Sequence, residues 1–131
     1  MAFQCVVVTP EAQVIDEPVT QVVIPAYDGL VGIMTDRAPL LVKLGTGPLR
    51  VDRAGGSSGY FFLDGGVAQM KDNKLTIVTH QATPASEIDA EAARAEYAEA
   101  VARRTTTEQA TADRDHQLAR ARAKQEVAKK A

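Results

Sequence analysis

The hydrophobic and polar positions divide the chain into two parts of different character. In residues 1–84, short apolar and β-branched runs alternate with Gly, Pro, Asp and Asn, a pattern typical of strands joined by tight turns. After Ser86 there is no Gly or Pro, and Ala, Glu and Arg dominate, which is the composition of helices. We therefore predict an α+β protein, with an antiparallel β-sandwich or barrel in residues 1–84 and an antiparallel two-helix hairpin, called the arm below, in residues 85–131.

The apolar runs of the first part predict short strands. Residues 71–74 have the composition of a hairpin turn between two of them. The Gly65-Gly66 pair predicts a bulge or a close approach of two backbones. The predicted strands are residues 3–8, 13–15, 19–24, 40–44, 49–51, 60–63, 67–70 and 75–79.

The arm divides at a run of three threonines. A first helix is predicted over residues 87–104, with Ser86 and Asp89 in a variant capping box. Residues 105–107 are predicted to end this helix, since β-branched hydroxyl side chains favour caps over helix interiors.

A second helix is predicted to extend to about Lys129. Its cap is either Thr105 paired with Glu108 or Thr107 alone. Alanine fills most apolar positions of the arm, and its methyl group contributes well under half of the roughly 1.5–3 kcal/mol of a large aliphatic side chain. The arm is therefore either a weakly docked element that changes position or a plain solvated hairpin. Its large apolar residues are Ile88, Tyr97, Val101, Leu118 and Val127.

The stretch 27–41 is unusually apolar for a segment that contains turn signals. Asp28-Gly29 is a tight-turn dipeptide, because glycine accepts a positive φ. Large apolar residues follow at positions 30, 31, 33 and 34. The stretch is either a short buried strand between two turns or a surface that another molecule covers.

Composition and charge exclude several classes of protein. The net charge is −2, without the basic excess of proteins that bind nucleic acid. No apolar stretch approaches the roughly 18 residues that span a bilayer, and we expect neither a signal peptide nor a transit peptide. The single cysteine, Cys5, lies in an apolar run and is interpreted as a small buried hydrophobe rather than a nucleophile.

No combination of residues predicts catalysis. His80 and His116 lie far apart in the sequence, and neither has Cys, His or paired carboxylates at the spacing of a metal site. Phosphate-binding glycine loops and the nucleophile elbow of serine hydrolases are also missing from the sequence. We predict that the chain is not an enzyme by itself and uses no cofactor or metal.

Four stretches, in this order, resemble the epsilon subunit of F-type ATP synthases, which is called delta in mitochondria. The family pattern G-x-x-G-(I/V/F)-x-x-x-H-A-P-(L/I) is matched in the stretch 27–41, except that arginine replaces its histidine. The other matches are an opening strand and turn, a glycine-pair strand, and the entry into a C-terminal helix. The corresponding residues are Gly29, Gly32, Ile33, Arg37, Ala38, Pro39 and Leu40, then 5–11, 63–68 and 87–89.

The resemblance implies a flattened sandwich of about ten short strands and a mechanical role. In this family the sandwich joins the γ shaft to the c-ring and turns with them, while the arm meets an acidic segment of the catalytic β subunits, within the α/β assembly, and opposes ATP hydrolysis. The predicted contacts with γ or the c-ring are Asp28, Gly29, Leu30, Val31, Gly32, Arg37, Ala38 and Pro39. The predicted inhibitory contacts of the arm are Arg103, Arg104, Arg114, Arg120 and Arg122.

Two departures from the family pattern change what the resemblance implies. Some bacterial members bind ATP on the arm through an I-D-x-x-R-A motif, but Ala92 stands here where the arginine is expected. Arg94 lies two positions further on, about 200° around a helix, and cannot replace it. Asp89 and Arg94 are the candidate nucleotide ligands, and we predict weak or absent ATP binding. Leu30 stands where many relatives carry an acidic residue, which makes the expected ring contact apolar.

The function predicted from the sequence is a non-catalytic central-stalk subunit of an F-type ATP synthase, which couples ATP synthesis to proton flow. Its expected location is peripheral, on the cytoplasmic side of a bacterial inner membrane or, for an organelle-encoded protein, on the stromal side of a thylakoid. The alternative is a free-standing β-sandwich that binds a ligand and oligomerises through its helical tail.

Overall fold

A computed structural model of the chain describes residues 2–129, which form a strand-rich domain followed by two helices. Seven strands lie in this described part, and a 3₁₀ turn, Ala85–Glu87, connects the last strand to the helices. The predicted α+β fold is confirmed. The strands are β1 (Phe3–Val8), β2 (Gln13–Ala26), β3 (Gly29–Met34), β4 (Leu40–Arg53), β5 (Ser58–Lys71), β6 (Lys74–Val78) and β7 (Ala82–Pro84), and the helices are α1 (Ala90–Ala102) and α2 (Glu108–Ala128).

The strands form one sheet that closes on itself. Neighbouring strands follow the order β1-β6-β5-β4-β2-β3, and β1 also pairs with β2, which closes a ring. β1 and β6 are parallel, whereas the other pairs are antiparallel. β7 adds to β5 outside the ring, and in the described part of the chain β3 pairs with β2 alone. β3 is therefore an edge strand.

The number of strands differs from the predicted ten short ones because three strands are long. β2, β4 and β5 have 14 residues each, and each replaces two of the predicted strands. Gly45 and Gly47 suggest a break in the sequence, but β4 pairs with β5 in the same register on both sides of Gly45. The pairing of β4 with β2 shifts between Val23 and Ala26, so these strands change direction without ending.

The main apolar core fills the inside of the ring. Along β1 the side chains of Phe3, Cys5 and Val7 are buried and those between them are half-buried, the alternation of a strand with one face in the core. The predicted burial of Cys5 is confirmed. This burial, assisted by the charge of Glu17, raises the pKa of the Cys5 thiol to about 12, so the thiol stays protonated and unreactive at neutral pH.

The glycine pair of β5 changes which residues face the core. Before the pair, Phe61 and Leu63 pack into the core, whereas after it Ala68 and Met70 do, so the alternation shifts by one residue. Phe62 lies on the opposite side of β5 from Phe61 and Leu63, in a second apolar cluster with residues of the arm.

The predicted close approach at the glycine pair is confirmed. Gly65 and Gly66 have φ angles of 73° and 114°, a region that residues with a Cβ avoid. A Cβ added to Gly66 would overlap the carbonyl oxygen of Val78. The Thr79 hydroxyl donates to the Gly65 carbonyl at 2.7 Å, which holds the bend in place.

The arm is a hairpin of two capped helices. Asp89 precedes α1, and its carboxylate accepts hydrogen bonds from the N–H groups of Glu91 at 2.9 Å and Ala92 at 3.2 Å. Thr107 precedes α2, and its hydroxyl accepts from the Ala110 N–H at 3.0 Å. Thr107 alone is therefore the cap of the second helix, which confirms one of the two alternatives.

The predicted capping box of Ser86 and Asp89 is wrong. Ser86 lies in the 3₁₀ turn, and Ile88 after it is extended, with φ −86° and ψ 126°. Ile88 is partly buried against the cluster around Phe62, which draws the chain back to the sandwich before a helix starts. α1 consequently begins later and ends slightly earlier than the predicted helix 87–104.

We expect Gly66→Ala to destabilise the fold by about 3 kcal/mol or more. The new methyl group would overlap the Val78 carbonyl and lie 2.8 Å from the Thr79 Cα, on a backbone whose φ already disfavours a side chain. Gly55→Ala is the matched control, because a Cβ there meets no atom within 4 Å. Urea unfolding followed by circular dichroism measures both changes. Equal stabilities of the two variants would contradict the close approach.

Candidate functional site

The stretch 27–41 lies at the edge of the sheet. Residues 27–28 form a two-residue turn between β2 and β3, and Gly29 follows with a φ of 139°. Along β3, Ile33 is buried in the core and Val31 packs partly against it, while the other four residues of the strand are exposed. The stretch is therefore a strand, as one alternative predicted, but only one of its faces is buried.

This stretch exposes several large apolar side chains. Among the described residues, seven large hydrophobic side chains are exposed, and four of them belong to this stretch. We call these four the 27–41 surface. They are Tyr27 (71% exposed), Leu30 (64%), Met34 (58%) and Leu41 (71%). Such a concentration is typical of a surface that another protein covers.

The loop after β3 extends this surface with a shallow groove. Residues 37–39 are exposed and line a groove of about 490 Å³ together with Gly32 and Met34. The predicted contact residues 28–32 and 37–39 therefore meet at this groove. Asp36 fixes the loop, because its N–H donates to the Asn73 Oδ1 at 2.8 Å and the Asn73 Nδ2 donates back to its carboxylate at 3.1 Å.

The candidate arginines of the arm do not share one face. Arg120 points toward the sandwich, where its Nη1 donates to the Asp64 carboxylate at 2.8 Å. Arg122 points toward α1 and lies over the Tyr97 ring, 6.0 Å from its centre.

The other three candidates lie near the turn between the helices. Arg103 donates to the Gln117 side chain at 3.2 Å. Arg114 lies 3.6 Å from the carboxylate of its neighbour, Asp115. Arg104 is exposed. In the docked arm, these side chains therefore contact the chain itself, apart from Arg104, for which the structure gives no contact.

The candidate nucleotide ligands are not brought together. The Asp89 carboxylate is engaged as the cap of α1, although Asp89 lines a cavity of about 160 Å³ between the sandwich and the arm. Arg94 lies outside that cavity and forms an exposed ion pair with Glu91 at 3.3 Å. Ala92 lines the cavity and contributes no charge.

The cavity itself is acidic. Its lining contains three carboxylates, from Glu87, Asp89 and Glu96, and one ammonium group, from Lys124. The Lys124 Nζ already donates to the Glu96 carboxylate at 3.2 Å. Nucleotide phosphates would meet an excess of like charge there, which disfavours their binding.

Sequence reasoning missed Asp64, which is the buried acidic residue where the arm meets the sandwich. Asp64 is 8% exposed. Its carboxylate accepts a hydrogen bond from Arg120, and the Nε2 of His116 lies 3.5 Å from the same carboxylate. The sequence does contain a sign that Asp64 has a partner, because a carboxylate directly after the apolar run 60–63 needs one when it is buried. Only the neighbouring glycines drew attention in the sequence.

Within residues 2–129, no three His, Cys, Asp or Glu side chains are placed to share a metal ion. Neither helix of this described part combines the length and apolar character that a membrane crossing requires.

Comparison with known proteins gives consistent matches over the sandwich and over the whole chain. The sequence profile of the family "ATP synthase, Delta/Epsilon chain, beta-sandwich domain" matches residues 2–85. The ATP synthase epsilon chain of Rhodopirellula baltica is 36% identical over 122 residues, covering 93% of this chain and 94% of the relative. That of Nitratidesulfovibrio vulgaris is 40% identical over 88 residues, covering 67% and 65%.

Solved structures share the fold at low identity. A chain of the Euglena gracilis mitochondrial ATP synthase, in an assembly of OSCP, F1 and c-ring, superposes with a TM-score of 0.84 at 24% identity, covering 91% of this chain and 76% of that one. A chain of the Tetrahymena thermophila mitochondrial ATP synthase central stalk and c-ring gives 0.74 at 15% identity, covering 95% of both.

The family inferred from four short sequence motifs is thus confirmed by matches that include the arm as well as the sandwich. Membership of this family favours the predicted synthase subunit over the alternative, a free-standing ligand-binding module. This chain belongs to the delta/epsilon chain family of ATP synthases.

Proposed function

We propose that the chain is a central-stalk subunit of the F1 part of an F-type ATP synthase. Its sandwich joins the γ shaft to the c-ring, turns with both and so couples ATP synthesis to proton flow. The chain carries no active site of its own, and the reaction takes place on other subunits. The observation that carries this proposal is the match of 36% identity to an ATP synthase epsilon chain over almost the full length of both proteins.

The 27–41 surface is the proposed contact with γ and the c-ring. It is apolar, two of its residues lie on the edge strand β3, and it adjoins the groove of the following loop. Apolar groups exposed to water gain roughly 25 cal/mol per Å² when a partner covers them. Leu30, at the turn, supplies apolar contact, and Arg37, in the groove, supplies a permanent positive charge for a partner carboxylate.

The arm is proposed to oppose ATP hydrolysis after it leaves the sandwich. Its docked position engages Arg120 in an ion pair with Asp64, so Arg120 is not available to another subunit in that position, whereas Arg122 lies over Tyr97 and stays exposed. The apolar contact that holds the arm is small, with Phe62 and Val127 as its only large fully buried members among the described residues. A small contact is compatible with two positions that differ by a few kcal/mol.

The proposed location is the periphery of the membrane. A subunit that contacts the c-ring at its rim lies on the cytoplasmic side of a bacterial inner membrane, or on the stromal side of a thylakoid. The partners are γ and the c-ring for the sandwich, and the α and β subunits for the arm.

We expect Leu30→Asp to weaken binding to a γ–c-ring subcomplex at least about tenfold, because a charge placed in an apolar interface must be desolvated without a partner. Surface plasmon resonance with immobilised subcomplex measures the dissociation constant. Val101→Asp is the matched control, since Val101 is an equally exposed apolar residue on α1. Unchanged binding of Leu30→Asp, or an equal loss for Val101→Asp, would contradict the proposed contact.

We expect no ATP binding at concentrations up to about 1 mM in titration calorimetry of the full chain. The cavity beside the arm has a net negative lining and lacks the arginine of the family motif. Ala92→Arg is expected to improve binding only in part, because Glu87 and Glu96 remain. A sub-micromolar affinity of the unmodified chain would show that this account of the cavity is wrong.

A further inference from the structure

A buried carboxylate connects the arm to the sandwich. Asp64 is the last residue before the glycine pair of β5 and lies on the same side of the strand as Phe62, facing α2. Its Oδ1 accepts a hydrogen bond from the Thr46 hydroxyl at 3.0 Å, and its Oδ2 accepts from the Arg120 Nη1 at 2.8 Å. The His116 Nε2 lies 3.5 Å from Oδ1. Two of the three contacts therefore come from the arm.

Arg120 is held at a second point. Its Nη2 donates to the Gln81 Oε1 at 3.2 Å, and the Gln81 Nε2 donates in turn to the Thr83 hydroxyl at 3.0 Å. The guanidinium also lies over the Phe62 ring, 6.0 Å from its centre. We call Asp64, Thr46, Gln81, His116 and Arg120 the Asp64 cluster. Its members come from β4, β5, the segment between β6 and β7, and α2.

The face of α2 that meets the sandwich is a single stripe. His116, Arg120, Ala123 and Val127 are spaced by four, three and four residues, which places them on one side of a helix. Ala123 and Val127 pack in the apolar cluster with Phe62, and His116 and Arg120 reach Asp64. The polar and apolar contacts thus act on the same face, and the polar ones occupy its N-terminal half.

The apolar half of this stripe specifies the position of the helix poorly. One of its two members is an alanine, whose methyl group buries little apolar area and so favours one position only weakly. An ion pair with hydrogen bonds has one good geometry, and removing one partner leaves the other charge buried and unsatisfied. The Asp64 cluster therefore has the larger effect on where the arm docks.

We propose that the Asp64 carboxylate fastens the arm in its docked position and competes for Arg120 with the acidic partner of the extended arm. The second part of this proposal, the competition for Arg120, rests on the proposed function. While Arg120 is paired with Asp64 it cannot reach another subunit, and the arm extends only when this ion pair separates. Asp64 affects the position of the arm through Arg120 and takes no part in the chemistry of the synthase.

The test on the free chain measures the position of α2. Spin labels on cysteines introduced at Ser57 and Ala119, which are both exposed, report the distance between the sandwich and α2. Cys5 is fully buried and does not react with the label. We expect Asp64→Asn to raise the population of undocked arms about tenfold in double electron–electron resonance, because a charge-assisted hydrogen bond is replaced by a neutral one.

Three variants make the test specific. Arg120→Gln leaves the sandwich unchanged and is expected to match Asp64→Asn, and the double variant is expected to add little to either, because both act through one contact. Arg122→Gln removes the same charge from the same helix without touching Asp64 and is expected to leave the distances unchanged. Distances that do not change in Arg120→Gln, or that change equally in Arg122→Gln, would overturn the proposal.

Inhibition of an F1 core that lacks its own epsilon subunit separates this proposal from the proposed function. We expect Asp64→Asn to inhibit ATP hydrolysis at about tenfold lower concentration than the unmodified chain, because more arms are free to extend. Altered distances in the free chain without inhibition by any variant would support the role of Asp64 in docking and reject the proposed inhibitory role of the arm. Equal inhibition by both proteins, with unaltered distances, would reject the role of Asp64 alone.

Discussion

The structure depends on the backbone bend at Gly65 and Gly66. The two glycines allow β5 to pass so close to the Val78 carbonyl that no side chain fits between them, and they shift the alternation of the strand by one residue. Before this bend β5 contributes Phe61 and Leu63 to the core and presents Phe62 and Asp64 to the arm, and after it β5 contributes Ala68 and Met70 to the core. A strand of regular pleat would continue with one face in the core throughout. The same bend therefore shapes the closed sheet and positions the place where the arm docks.

Two kinds of contact hold the arm on the sandwich. The apolar cluster around Phe62 removes little surface from water, because alanine supplies much of the helical side of it. The ion pair between Asp64 and Arg120 adds a specific geometry, and His116 adds a further contact to the same carboxylate. An element held in this way has a defined docked position without a large docking energy, which is what an arm with two positions requires. The 27–41 surface, which includes Leu30 and Met34 of the edge strand β3, keeps its apolar side chains exposed, so the sandwich has a second surface for another contact.

Much of the fold was predictable from local sequence. The glycine pair, the turn at residues 71–74, the helix composition after Ser86 and the cap at Thr107 are signals that depend on a few neighbouring residues. The errors arise where distant contacts override those signals. Gly45 suggests a break, but the pairing of β4 with β5 continues past it, and Ser86 suggests a cap, but the packing of Ile88 delays the helix. The same reason explains why Asp64 was missed. Its partners Arg120 and His116 lie more than 50 residues away, and only the docking of α2 brings them together. The predicted contacts of residues 28–39 and of the five arginines remain predictions.

The family and the geometry together describe a small sandwich with exposed apolar side chains at its edge and an arm docked through an ion pair and a small apolar cluster. The most direct measurement is the rate of ATP hydrolysis by an F1 core without its own epsilon subunit, titrated with the full chain. The account predicts stoichiometric binding and a rate that falls to a constant lower value, because the sandwich joins the rotor and the arm extends from it. A chain that neither binds the core nor changes its rate, when the core comes from the same source, would contradict the assignment of this protein to the rotor.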